Sequence, residues 1–335
     1  MTCEYKENKK KKSCDFYIKS GFCSKKTIFR CVEYIERNEP TLSHSGIINF
    51  IRCPKMYYYA QICGIQKKET SDPIKIGSAV DSYITEYLLT GAKNEDYLDI
   101  NSDIDYMWQA KAIAIMKAFR DLIGVDKYKE KYVGQYKFVL NNDGQPQIQG
   151  FLDLHAKNDS GFIELKTGRD PAYYINLFYI KYKLATYFMS NDKYKTGTVW
   201  AIRVPDLKRT GKFKNESYPD YSNRCHRDML ARAKFYFPGY NPEKRNFGAK
   251  FGRAEIDVDE MVRYYRMIAD NIKGCIEKDL WIQNGTGCLH PFECNYLSIC
   301  KNNGAISEDV YGYREKPQEK ISGDLIKHRN EHPPY

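Results

Sequence analysis

The stretch from Gly134 to Gly168 constrains the fold most. GQYKFVL (134–140), QIQGFLDLHAK (147–157) and GFIELKTG (161–168) have the length and the β-branched and aromatic content of strands. They are separated by Asn-Asn-Asp-Gly and Asn-Asp-Ser-Gly, residue types that adopt the positive φ of a tight hairpin turn at little cost. Three such strands predict an antiparallel meander. The pattern then changes period: residues 172–190 read as a helix and TVWAIRVP (198–205) as a buried strand. Together these predict an α/β fold with a mixed sheet flanked by helices.

Helical spacing recurs on both sides of this segment. Ile47, Phe50, Ile51, Met56 and Tyr57 follow a Ser cap over 43–65, with Pro54 dividing the run in two. Residues 75–90 and 104–124 also read helical, as does a stretch near 223–236. From 258 to 280, Met261, Tyr265, Ile268, Ile272 and Ile276 share a face behind the capping-box pair Asp257 and Glu260. No apolar run reaches the length of a membrane span, so a membrane partner is not expected. The basic N-terminus is followed by no apolar segment, so a secretory signal is not expected either. A reducing compartment follows, in which the 11 cysteines, an odd number, suit metal ligation better than disulfides.

Positive charge is local. Residues 1–30 carry nine basic and three acidic side chains, and residues 203–253 carry thirteen and five. In a chain with 29 tyrosines, these segments suit a phosphate-tracking surface with rings for base stacking. Solvated lysines and ordinary core tyrosines are the alternative. Within 206–253, a Pro-, Gly- and Lys/Arg-rich insertion, Lys208, Arg209, Lys212 and Lys214 are the candidate phosphate contacts.

Asp153 on the second meander strand and Glu164 on the third can be presented to one place by adjacent strands. Alternation puts Lys166 on the face of Glu164 and Ile163 and Leu165 on the other. Two carboxylates held close repel unless a cation lies between them, which favours a hard, oxygen-seeking ion such as Mg²⁺ or Mn²⁺. A neighbouring ammonium can position a water and offset phosphate charge. An exposed strand pair with an ion-pairing lysine would show the same residues.

GFLDL, eight residues, then IELKTG resembles the core motif of the PD-(D/E)XK nucleases, in their RecB-like and AddB-like branch. Ser43-His44-Ser45 and Cys53-Pro54-Lys55-Met56-Tyr57-Tyr58-Tyr59 are similar to the branch's opening helix. Gly77-Ser78-Ala79-Val80-Asp81 matches its next helix, with aspartate where the family has a metal-binding histidine. Lys183-Leu184-Ala185-Thr186-Tyr187 matches a later helix, with lysine in place of glutamine. The resemblance implies a restriction-endonuclease-like core, metal ligation by Asp81, Asp153 and Glu164, catalysis by Asp153, Glu164 and Lys166, and DNA contacts from Lys183 and Tyr187.

Cys288, Cys294 and Cys300 stand in GCLHPFECNYLSICK with five residues between successive thiols, and need a fourth ligand. The resemblance supplies Cys53, because many members of the branch hold a [4Fe–4S] cluster on one cysteine before the core and three after it. A four-thiolate zinc site and plain buried thiols are the alternatives. Cys3, Cys14, Cys23 and Cys31 mark a basic module over 1–40, too short to fold by burial alone, for which bound Zn²⁺ and disorder are both open. The expected organisation is therefore a module over 1–40, a nuclease domain over 41–300 and a disordered tail over 301–335. The expected function is metal-dependent DNA hydrolysis, exonucleolytic on single-stranded ends, in recombination, repair or replication with proteins of those processes as partners. The implied setting is the cytoplasm of a bacterial or phage-infected cell. A DNA-binding subunit without turnover and an RNA-processing nuclease are the alternatives.

Overall fold

The computed structural model describes residues 42–92, 104–142, 145–176, 178–289, 293–302, 304 and 306–314. The module over 1–40 with Cys3, Cys14, Cys23 and Cys31, and residues 315–335, lie outside the described residues. In chain order the elements begin with α1 (His44–Arg52), α2 (Pro54–Tyr57), β1 (Ile65–Lys67), α3 (Asp72–Thr90) and α4 (Tyr106–Leu122). The meander follows as β2 (Tyr132–Asn142), β3 (Gln145–Ala156) and β4 (Gly161–Gly168). Then come α5 (Pro171–Asn176), α6 (Phe178–Ser190), β5 (Thr196–Arg203), α7 (Tyr218–Ala231), α8 (Ala233–Tyr236) and β6 (Ala249–Gly252). The last elements are α9 (Val258–Lys278), α10 (Leu297–Lys301) and β7 (Tyr311–Tyr313).

These elements form two units rather than the single domain expected over 41–300. The larger comprises residues 42–51 and 69–281. Its five-stranded sheet has the order β2-β3-β4-β5-β6, antiparallel throughout except for the parallel pair β4 and β5, which the α5 and α6 crossover connects. Ile163 and Leu165 of β4 and Trp200 and Ile202 of β5 pack with Val80, Tyr83 and Leu88 of α3 and with Ile115 and Phe119 of α4. On the opposite face Phe162 meets Tyr187 and Phe188 of α6, with ring centroids 5.2 and 5.1 Å apart. Burying each of these large side chains contributes about 1.5–3 kcal/mol. The mixed sheet is thereby flanked by helices.

Local chemistry sets the helix ends. Gly91 closes α3 at φ +77°, a left-handed cap that favours glycine, and donates its N–H to Tyr87 O at 2.9 Å. Asp257 caps α9 by accepting the N–H of Glu260 at 2.7 Å, as the sequence pattern predicts. The segment 206–253 is more than a loop-rich insertion. Tyr221, Cys225 and Met229 of α7 enter the main core, and β6 pairs with β5. Gly248, at φ +97°, permits that pairing: a Cβ there would fall 2.5 Å from Val199 O.

The smaller unit comprises residues 52–68 and the described part of 282–314. Here the expected disordered tail is corrected. Residues 311–313 form β7, antiparallel to β1 with Ile65 opposite Tyr313, and Tyr311 is buried with Tyr59, Ile65 and Ile299. Two tyrosines placed on a free strand edge outweigh the low average hydrophobicity of the segment. Among the described residues no helix is long and apolar enough to cross a membrane.

Candidate active site

Asp153 and Glu164 stand where β3 and β4 part. Their ladder ends at the Leu154–Ile163 pair, and one further step of the same register sets Asp153 opposite Glu164. Leu165 N–H has no strand partner there and donates to Asp153 Oδ2 at 2.7 Å. The carboxylate thus replaces a missing rung and is held in one orientation by it. On the other flank of β3, Gln135 of β2 sits at φ +50°, a left-handed conformation that costs a non-glycine residue about 1–3 kcal/mol. Side-chain alternation reverses at this point. Gly134 faces Thr85 and Leu89 of α3, whereas Phe138, of the same parity, packs against Tyr187 of α6. Asp81 of α3 faces the same carboxylates, with Gln135 close enough to favour its ionised form.

Glu164 is completely buried. Its Oε1 accepts from both Lys166 and Lys183, and its Oε2 accepts from Tyr187 Oη at 2.8 Å. Lys166 also donates to Leu165 O at 2.7 Å. Asp81, Asp153, Glu164, Lys166, Lys183 and Tyr187 converge, and the two residues expected to contact DNA, Lys183 and Tyr187, are both engaged by Glu164. Tyr187 is 3% exposed, with its hydroxyl committed to Glu164, so it positions that carboxylate and cannot touch a strand. Lys183 is held on the same carboxylate.

Three carboxyl groups face two lysines in this cluster, and burial lowers the pKa of Lys183 despite the neighbouring Glu164. Burial pushes Asp153 up to about 8, aided by Glu164 and Asp81, and pushes Asp81 up to about 6. For Glu164 burial acts in the same direction, but Lys183 and Lys166 outweigh it and hold its pKa at about 2. Burial opposes the charge of Lys166, yet Glu164 and Asp153 raise its pKa above the usual lysine value, so it stays an ammonium at neutral pH. It is a charge and a donor here, not a proton acceptor. His44, at the start of α1, read in the sequence as part of the Ser43-His44-Ser45 match and as a substitute for Cys3 in a zinc module, instead stands near this cluster: burial and then Lys183 lower its pKa to about 4, leaving a neutral imidazole. Gln135 was missed, since nothing in GQYKFVL signals a left-handed residue within a strand.

Among the described residues no three His, Cys, Asp or Glu side chains form a ready-made cation cage. The donor chemistry nevertheless fits a hard divalent ion. Asp81 Oδ1 is buried without a hydrogen-bond partner, and Asp153 carries an unbalanced buried charge whenever it ionises. This has a consequence for stability. Because the folded pKa values of Asp81 and Asp153 lie above the ordinary 3.8, the unfolded chain loses protons first as pH rises, and stability falls between about pH 4 and 8. The contribution of Glu164, with its depressed pKa, is lost only as pH falls through the acid range below 4.5 toward 2, outside that window, whereas His44, lowered from 6.5 to about 4, adds stability as pH rises between those values and offsets part of the fall from the two aspartates. In EDTA, melting temperature is expected to drop from pH 5 to 8; Mg²⁺ or Asp153→Asn should flatten the drop. A flat profile in the wild-type protein would contradict the charge imbalance.

Cys53, Cys288, Cys294 and Cys300 all lie in the smaller unit. Burial raises the Cys294 thiol, and Cys53 and Cys288 raise it further; Cys300 is raised by burial and by Cys294, Cys53 and Cys288. The four sulfurs thus influence one another electrostatically, although no three of them form a ready-made metal site among the described residues. Asn284 N–H points at Cys53 Sγ (3.4 Å) and Tyr296 N–H at Cys294 Sγ (3.5 Å), donors that suit thiolate ligands. Cys288 and Cys294 are tied by a 2.7 Å backbone hydrogen bond.

Lys208, Lys212 and Lys214 are exposed, and Arg209 donates to Glu216 O. Their segment leaves the sheet at the carboxyl end of β5, the end at which Lys166 and Gly168 lie on parallel β4. Arg169 and Asp206 pair across that end at 3.6 Å. Nearby, Phe235 lies between the guanidiniums of Arg203 and Arg232, at 4.4 and 4.9 Å.

No family model and no curated protein matches the chain. Among solved structures it is similar to SSO0001, known from a crystal structure, at 15% identity and a TM-score of 0.35 over 83% of this chain and 98% of that one. Function is therefore argued from the geometry of the site.

Proposed function

We propose that the larger unit is a divalent-cation-dependent phosphodiesterase of the PD-(D/E)XK nuclease type, with a restriction-endonuclease-like core, acting on DNA and preferring single-stranded ends. One observation carries this reading: buried Glu164 and half-buried Asp81 and Asp153 converge beside Lys166 and Lys183, an excess of carboxyl groups that a bound cation would balance. Asp81 and Asp153 would hold the ion, with Glu164 beside them. When bound, Mg²⁺ or Mn²⁺ supplies positive charge to the phosphate and acidity to a water. Asp153, locked by Leu165 N–H, presents its second oxygen without needing to reorganise. Lys166 keeps its proton and offers a fixed positive charge to the phosphoryl oxygens as the scissile P–O bond breaks. Tyr187 and Lys183 keep Glu164 ionised and immobile, so they act through it as positioning residues.

A second reading, a DNA-binding subunit without turnover, is favoured by the full engagement of Glu164 by Lys166, Lys183 and Tyr187. Labelled single- and double-stranded DNA and RNA, each incubated with Mn²⁺ or EDTA, separate the readings. The expected result is Mn²⁺-dependent cleavage of DNA; binding without cleavage supports the second reading, and preference for RNA the third class of activity. In the smaller unit we assign Cys53, Cys288, Cys294 and Cys300 to a [4Fe–4S] cluster, supported by their shared surroundings and N–H···S donors.

The exposed basic segment is proposed to track the strand backbone. Combining Lys208→Gln, Arg209→Gln, Lys212→Gln and Lys214→Gln should weaken binding of all sequences alike. The slope of log affinity against log salt should fall by about 3. An unchanged slope would mean that these side chains are only solvated.

A further inference from the structure

A cavity of about 290 Å³ lies between α1, α6 and α9 in the larger unit. His44, Ile47 and Ile48 line it from α1, Tyr182 from α6, and Met261 and Tyr264 from α9. The rings of Tyr182 and Tyr264 stand 5.6 Å apart at 35°, and Tyr265, behind them, is fixed by a 2.6 Å hydrogen bond with Thr186. Aliphatic side chains, tyrosine rings and a neutral imidazole offer little to a charged group. They suit a flat heteroaromatic ring.

Its position adds to this. Tyr182 immediately precedes Lys183 on α6, so one turn of helix presents a ring to the cavity and an ammonium to Glu164. His44, in the cavity wall, is near enough to Lys183, Glu164 and Lys166 to feel their charges. An apolar slot thus adjoins the cations of the catalytic cluster, matching a nucleotide whose phosphate is anionic and whose base is not.

We propose that this cavity receives the unpaired base of a nucleotide adjoining the scissile phosphate, and so selects single-stranded substrate. The inference deepens the nuclease reading and rests on it. A paired base is held in its stack and would have to be extracted to enter, which costs a few kcal/mol.

The test uses the full chain in Ca²⁺ and a set of labelled single strands, each with one abasic nucleotide at a successive position. Binding is read by fluorescence anisotropy, and cleavage separately in Mn²⁺. One abasic position should weaken binding to the wild-type protein about tenfold, a typical value for one base stacked on a ring. Tyr264→Ala should weaken binding of the intact strand by a similar factor, add nothing on that abasic strand, and be rescued by Tyr264→Phe. Equal loss on both strands, or no abasic position that matters, overturns the proposal, and the wild-type comparison decides alone if the alanine variant does not fold. Cleavage by a protein indifferent to abasic sites defeats the pocket and leaves the nuclease reading standing. Base-dependent binding without cleavage does the reverse, and absence of strand binding defeats both.

Discussion

Asp153→Asn and Lys166→Ala are each expected to lower Mn²⁺-dependent cleavage by roughly a thousandfold or more, with strand binding largely kept. Losses of that size follow when a preorganised charge or donor is removed from a desolvated site. Asparagine is the informative replacement at Asp153, because its carbonyl oxygen can still accept the Leu165 N–H while the charge is gone. Alanine would also orphan that amide, at a cost of about 1–3 kcal/mol, and would confuse folding with chemistry. At Lys166 the removed group is an ammonium shared with buried Glu164, so Lys166→Met, which keeps the aliphatic volume, should accompany it. Single-turnover rates at saturating protein measure the effect. Wild-type rates in either Lys166 variant would remove the catalytic assignment.

Cys53→Ala should strip colour and iron from protein purified without oxygen. The wild-type chain is expected to be brown with about four irons, the content of a cubane cluster on four thiolates. Metal and thiolate binding contributes directly to the folding of a small unit, so the variant should also melt at lower temperature and be less soluble. Cys225→Ala is the control. Cys225 is fully buried in the core of the larger unit, and its loss should leave iron content untouched. One zinc per chain after the same preparation would replace the cluster with a zinc site, and unchanged metal in Cys53→Ala would remove Cys53 from the ligand set.

The meander and its acidic pair were legible because everything needed is local: hairpin turns at both ends, alternation within β4, and eleven residues from Asp153 to Glu164. The parallel strand β5 was legible as an apolar run. What lay beyond the sequence depended on direction. Position on α6 marks Tyr187 as near the site, but whether its hydroxyl faces solvent or Glu164 depends on how the helix rotates against Phe162. Gln135 escaped because strain is visible only once its neighbours are fixed. Residues 311–313 escaped because the partner strand, β1, lies at the far end of the sequence.

That last separation bears on biosynthesis. Cys53 hydrogen-bonds to Ile282, 229 residues downstream, so the smaller unit cannot close until the whole larger sheet has been translated. At about 5–20 residues per second, residues 52–68 wait on the order of ten to forty-five seconds before β1 and Cys53 meet their partners, while the larger unit can already fold. Pairing of β1 with β7 must therefore follow synthesis of the larger unit, and a ribosome stalled before Tyr311 would leave a finished five-stranded sheet with the smaller unit still open.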